Sequence, residues 1–189
     1  MTSESIANLD EILLDTGPFC RFCEAGALAE LALYLDDRAW ITQDVANEIH
    51  YRGKRQHAAL RTLQWQRPPF PRNEPVVLTG AHAKQAALIH ARKQQPGDPP
   101  DADLGEITTV LAAVARGGTA VMIDDRFGRN LARQRGLPLY STADLASEMT
   151  ASGTIDEGLG WRIFQSVFNE KRPAFDRVVE SAREGLAQA

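Results

Sequence analysis

Long apolar runs are missing from this 189-residue chain. No window approaches the roughly 18 consecutive apolar residues that a membrane span requires, so a soluble protein without a membrane partner is expected. Cysteine is scarce, Cys20 and Cys23 only, and the stretch from Met1 to Asp10 has neither the basic start nor the apolar run of a secretory signal. Both point to a reducing cytoplasm. Positive charge is not in excess either: the formal net charge is -4, from 21 Lys and Arg against 25 Asp and Glu. The molecule as a whole is therefore no polycation, and any nucleic acid must be met by local clusters of basic residues. The histidines His50, His57, His82 and His90 lack zinc-like spacing. Internal repeats and low-complexity segments are absent.

What is present is an ordinary globular balance, 43% hydrophobic and 24% charged, which suffices for a sizeable core in one domain over 1–189. Ile12-Leu13-Leu14 is a short apolar run ended by Asp15-Thr16-Gly17-Pro18, a buried strand followed by a turn. Leu28, Leu31, Ala32 and Leu35 then recur at helical spacing, and Ala39 to Thr42 gives a second short apolar run, which makes a βαβ signature. A helix opens after Thr42 and carries Glu48. Its end is the basic run Arg52-Gly53-Lys54-Arg55. The Pro-rich middle is less legible, with a possible strand at Val76-Val77-Leu78 and a helix from about Ala81 to Lys93.

Breakers at Gln95 to Pro100 deliver Asp101-Ala102-Asp103-Leu104-Gly105-Glu106 to a helix through Val110, Leu111 and Val114. Thr119 to Ile123 reads as the strongest strand, with Asp124-Asp125 at its end and an Arg-rich helix after it. Leu139-Tyr140 gives a last strand, and three helices are expected around Ala143 to Ala151, Ile155 to Phe168 and Pro173 to Leu186.

In an open parallel sheet the binding crevice lies beyond the C-terminal strand ends, where Asp15 and Asp124 fall on this reading. Glu48 and Glu106 lie on helices that follow or face the same ends. Four carboxylates brought together repel one another unless protonated or bridged by cations. An all-oxygen donor set selects Mg²⁺ or Mn²⁺, and such a site supports in-line phosphodiester hydrolysis without a nucleophilic side chain.

Plainer readings stand beside this one. Asp15 before Thr-Gly-Pro also reads as a turn-initiating acid, Glu48 as a solvated helix residue, and Glu106 with Asp103 as helix-capping acids. Asp124 and Asp125 are not separated by strand alternation. Cys20-Arg21-Phe22-Cys23 has the spacing of a redox pair.

In chain order, Ile12-Leu13-Leu14-Asp15-Thr16, Asp44-Val45-Ala46-Asn47-Glu48-Ile49, Leu104-Gly105-Glu106 and Val121-Met122-Ile123-Asp124-Asp125-Arg126 resemble the PIN-domain nucleases. The resemblance spans about Leu9 to Gly153. It implies a three-layer α/β/α sandwich around a central parallel sheet, with residues 154–189 as extra C-terminal helices.

It further implies a metal-dependent endoribonuclease, often a VapC-like toxin with a cognate antitoxin and commonly a homodimer. On the family pattern Asp15, Glu48, Glu106 and Asp124 are the catalytic acids, and Asp15, Glu106 and Asp124 the ligands of Mg²⁺ or Mn²⁺. Thr16, Asp103 and Asp125 are possible additions, and Asp44 or Asp103 stand as substitutes for Glu48 or Glu106.

Arg126, Arg129, Lys54 and Arg55, with Arg52 and Arg133, are candidates for an RNA phosphate path. The Pro-rich middle and the tail beyond Gly160 depart from the family pattern. Two rival functions remain at this stage. One is a catalytically silent PIN fold that binds protein or RNA, using Trp161, Phe164 and Phe168 on an exposed helix. The other is a haloacid-dehalogenase-like phosphatase, whose chemistry requires a second Asp where this chain has Gly17.

Overall fold

The computed structural model describes residues 5–55, 71, 73–168 and 171–187. The apolar triplet at the front of the chain forms strand β1 (Ile12–Leu14), buried on both faces as expected of a central parallel strand. Helices α1 (Thr16–Ala25) and α2 (Leu28–Leu35) carry the chain across to β2 (Ala39–Trp40). The expected turn at Asp15 to Pro18 is instead the start of α1: Asp15 is its N-cap and Pro18 lies in its first turn. Proline is tolerated there because those N–H groups have no intrahelical acceptor.

Helix α3 (Gln43–Arg55) follows, then α4 (Gly80–Lys93), α5 (Leu104–Ala115), β3 (Ala120–Met122), α6 (Arg126–Gln134) and β4 (Leu139–Tyr140). Helices α7 (Thr142–Ala151), α8 (Glu157–Val167) and α9 (Arg172–Leu186) complete the described chain. The segment expected to form a strand at Val76-Val77-Leu78 makes only a single parallel bridge, Thr42 to Val76. Val77 is exposed there, so the segment has one face to bury and adds no strand.

Among the described residues the sheet has four strands in the order β2-β1-β3-β4, all pairs parallel. Strand alternation divides the core into two layers. Ile12, Leu14, Ala120 and Met122 point to one side, where they meet Phe19, Phe22, Leu31, Leu145 and Met149 of α1, α2 and α7. Leu13, Val121 and Ile123 point to the other, against Ile107, Val110, Leu111 and Leu131 of α5 and α6. The result is the expected α/β/α sandwich with a central parallel sheet.

The tail is not a loose appendage. Ile163 of α8 enters the larger core layer, and α9 packs on α7 through Phe175 and Val179. The aromatic face of α8 proposed as an exposed binding surface is covered: Phe164 is buried, with Trp161 and Phe164 both ring-packed on Phe175. Phe168 alone of that trio is exposed, at 39%. No described helix is long and apolar enough to cross a membrane.

One buried polar knot anchors the front of the chain. Glu148 of α7, 7% exposed, accepts hydrogen bonds from Ser5 Oγ (2.8 Å), the N–H groups of Ile6 (2.9 Å) and Ala7 (2.7 Å), and the Tyr34 hydroxyl (2.7 Å). Arg38 donates to the Ile6 and Ala7 carbonyls from the opposite direction. Burial, and the bond to Glu148, hold the Tyr34 hydroxyl well above its usual range.

Candidate metal centre

The strand order makes the gap between β1 and β3 a switch point, because the chain leaves β1 toward β2 and leaves β3 toward β4. Crevices at such points open beyond the C-terminal strand ends. Asp15 and Asp124 stand there, one directly after β1 and the other two residues after β3. Glu48 arrives from the second turn of α3 and Glu106 from the first turn of α5.

Asp15 is 3% exposed, and its Oδ1 has no hydrogen-bond partner. Its carboxyl is pushed well above the usual carboxylate range, first by burial, then by the neighbouring negative charge of Glu106 and, after it, Glu48. Backbone N–H groups of Thr16 and Gly17 pull the other way. The position a methyl group would take on Gly105 is 3.1 Å from Glu48 Oε2 and 3.4 Å from Asp15 Oδ1. Both acids thus lie close against the Gly105 backbone, where a side chain would crowd them.

Glu106 is raised from 4.5 to about 7. Burial is the leading cause, and Glu48, Asp125 and Asp103 add repulsion. Asp44, the alternative to Glu48, is half-buried at the start of α3; burial raises its carboxyl, and a hydrogen bond with Thr108 opposes the rise.

Glu48 is fixed by Thr16, whose hydroxyl donates to Oε2 at 2.7 Å. Asp124 is fixed by Thr142: the N–H donates to Oδ1 at 2.8 Å and the hydroxyl to Oδ2 at 2.7 Å. Thr142 was not singled out in the sequence. The signal for it was the adjacent capping box of Ser141 and Asp144, which starts α7 and presents Thr142 to the strand ends.

Asp125 is a different kind of acid from Asp124. Its carboxylate is the N-cap of α6, accepting from Phe127 N at 2.6 Å and Gly128 N at 3.1 Å. Asp103 occupies the N-cap position of α5 but makes no capping bond; its backbone is left-handed, φ 59°, and its side chain pairs with Lys93. The capping reading of Asp103 therefore fails in the structure.

Among the described residues Asp103, Glu106 and Asp125 form a trio, each offering an oxygen within 4.8 Å of the others. Glu106 joins this outer trio to the inner pair, Asp15 and Glu48.

The basic candidates divide. Arg126 is exposed at the start of α6. Arg129 donates to the main-chain carbonyl of Ile123 at 3.0 Å, and so ties α6 to the end of β3. The side chains of Arg52, Lys54 and Arg55 lie outside the described residues. Cys20 and Cys23 are unbridged within α1, Cys20 buried in the core, away from the helix start a redox pair would use. At Gly17, where the phosphatase chemistry requires a second Asp, an added Cβ would lie 3.2 Å from Asp124 Oδ2, a tight contact.

An all-oxygen set with a buried orphan oxygen fits a hard divalent cation. No curated protein and no solved structure matches the chain. A family model described as a PIN domain matches residues 11–160. That match begins one residue before β1 and ends within α8, taking in every segment that carries a carboxylate to this end of the sheet, and the chain belongs to the PIN-domain family, a nuclease-type fold.

Proposed function

We propose that this PIN domain is an endoribonuclease dependent on Mg²⁺ or Mn²⁺, and the toxin of a toxin-antitoxin pair in the cytoplasm. The observation that carries the nuclease reading is Asp15: a carboxylate buried without a partner for Oδ1, raised by Glu106 and Glu48, at the mouth of the sheet. Burying such a group is costly unless a cation compensates it. Asp15 and Glu106 would hold the ion directly, and Asp124 through the lone pairs that Thr142 leaves.

When bound, the ion would supply positive charge to the carboxylates and to the scissile phosphate. The chain's own residues do the positioning. Thr16 fixes Glu48, and Thr142 fixes Asp124, before substrate arrives. Hydrolysis forms a bond from a water oxygen to phosphorus while the bond to the leaving ribose oxygen breaks. We assign the water's proton to Glu48, and the leaving oxygen takes one from solvent. Arg126 is our choice for a phosphate contact, joined by Lys54 and Arg55.

The toxin role, a cognate antitoxin and a homodimer rest on the resemblance to VapC-like toxins; reading 1–189 as one domain rests on length and composition, and 154–189 as a helical extension on that resemblance. Asp15→Asn tests the central claim. Its Mn²⁺ binding by calorimetry and its RNA cleavage should both be lost while circular dichroism is unchanged. Retained cleavage would end the assignment. Co-purification with the product of the adjacent reading frame, or its failure, decides the antitoxin.

A further inference from the structure

Lys93, the last residue of α4, is a cation set into the acidic end of the molecule. Its ammonium pairs with Asp103 Oδ2 and lies 4.2 Å from the centre of the Phe127 ring, with the side chain one-third exposed at 33%. The arrangement is built from three elements. Helix α4 brings the lysine, the left-handed backbone of Asp103 turns its carboxylate away from capping α5, and Asp125 caps α6 so that Phe127 falls beneath the ammonium.

Asp103 is also one of the three acids, with Glu106 and Asp125, whose oxygens come within 4.8 Å of one another. A divalent ion at that trio would have to take Asp103 from Lys93 and sit beside its positive charge. At such short range like charges repel, and the repulsion opposes an ion there.

We infer that Lys93 stands where a second divalent ion would sit, and that its ammonium contacts a non-bridging oxygen of the scissile phosphodiester. This rests on the nuclease reading above and deepens it: hydrolysis proceeds with one resident ion and one lysine. An ammonium has three donors on a flexible stem. One is used on Asp103, and the face of Phe127 holds the ammonium in place. Arg129 is engaged instead with the Ile123 carbonyl.

The test uses the full chain and its Lys93→Met and Lys93→Arg variants, with Mn²⁺ calorimetry and cleavage of a single-stranded RNA at saturating Mn²⁺. The wild type should bind one Mn²⁺ per chain. Lys93→Met should bind a second, weaker Mn²⁺, because Asp103 is released to Glu106 and Asp125, and its kcat should fall roughly a hundredfold, the usual effect of losing one transition-state donor. Lys93→Arg should keep one ion and recover most of the rate.

Two ions in the wild type, or Lys93→Met cleaving within about twofold of it, would overturn the inference while leaving the nuclease reading intact. A wild type that neither binds Mn²⁺ nor cleaves RNA takes both down. The ion count is independent of turnover, so a slow variant still gives an answer.

Discussion

Replacing Glu106 by Gln should make the metal-free protein more stable. The Glu106 carboxyl is raised from 4.5 to about 7 in the fold, chiefly by burial. A raised carboxylate favours the neutral form in the native state, so its stabilising effect is fully present below about pH 4.5 and is lost as pH rises through about 7. At pH 8 the ionised group therefore costs the native state on the order of 3 kcal/mol, from 1.36 kcal/mol per unit.

Gln keeps the volume and discards the charge, and its amide can donate to the acids around it. For a chain of this size a gain of about 3 kcal/mol corresponds to roughly 6–12 °C in Tm. The assay is thermal melting in chelator at pH 5.5 and pH 8. Wild type should melt lower at pH 8 than at pH 5.5, Glu106→Gln should narrow that difference, and the variant should exceed wild type at pH 8. Saturating Mn²⁺ should raise wild type far more than the variant, since binding to the native state adds stability by mass action. A variant no more stable than wild type at pH 8 in chelator, with a flat wild-type profile, would refute the reasoning.

Two further outcomes are expected. Glu148→Ala leaves Ser5 Oγ, the Ile6 N–H and the Tyr34 hydroxyl without their acceptor, and leaves the Ala7 N–H with Ser5 Oγ alone. A loss of about 3 kcal/mol in urea unfolding should follow, with faster proteolysis ahead of Leu9, and an unchanged midpoint would contradict it. Gly128→Ala would put a methyl group 2.7 Å from Ile123 Cγ2 and 3.1 Å from the Glu106 Cβ and Cγ. Overpacking of this kind costs about 1–3 kcal/mol, and because it displaces Glu106, Mn²⁺ affinity should fall along with Tm. Unaltered affinity would mean that Glu106 is not a ligand.

Much of the sheet was readable because its strands are short apolar runs buried on both faces, each punctuated by an acid or a capping residue. Residues 12–14 and 120–122 are the clear cases. Helix α1 was obscured by Pro18, which marks a turn in most settings and is harmless in a first helical turn. Val76 pairs only through a bridge, a tertiary outcome that local composition does not encode.

The site divided along the same line. That an acid stands just beyond β1 and another just beyond β3 was legible from strand ends alone. The choice between Asp124 and Asp125 was not, because it turns on Thr142, eighteen positions along the chain, and on which acid caps α6. Thr16 was marked as a hydroxyl near the ion, and the structure gives it the further task of holding Glu48 across 32 positions. Lys93 passed unnoticed because a lysine at a helix C-terminus ordinarily needs no other explanation than the helix dipole.

The glycines beneath the acids have a practical consequence. Gly17 faces Asp124, Gly105 faces Glu48 and Asp15, and Gly128 faces Glu106, so the pocket owes its room to three places where the chain carries no side chain. Charge and space are thus set by different residues. An alanine at Gly105 would leave every carboxylate in its original chemical form and crowd Glu48 Oε2 at 3.1 Å and Asp15 Oδ1 at 3.4 Å. On the proposed function such a variant is a reagent: it should keep the electrostatic surface while weakening the ion, and so separate what binds this molecule from what it would cut.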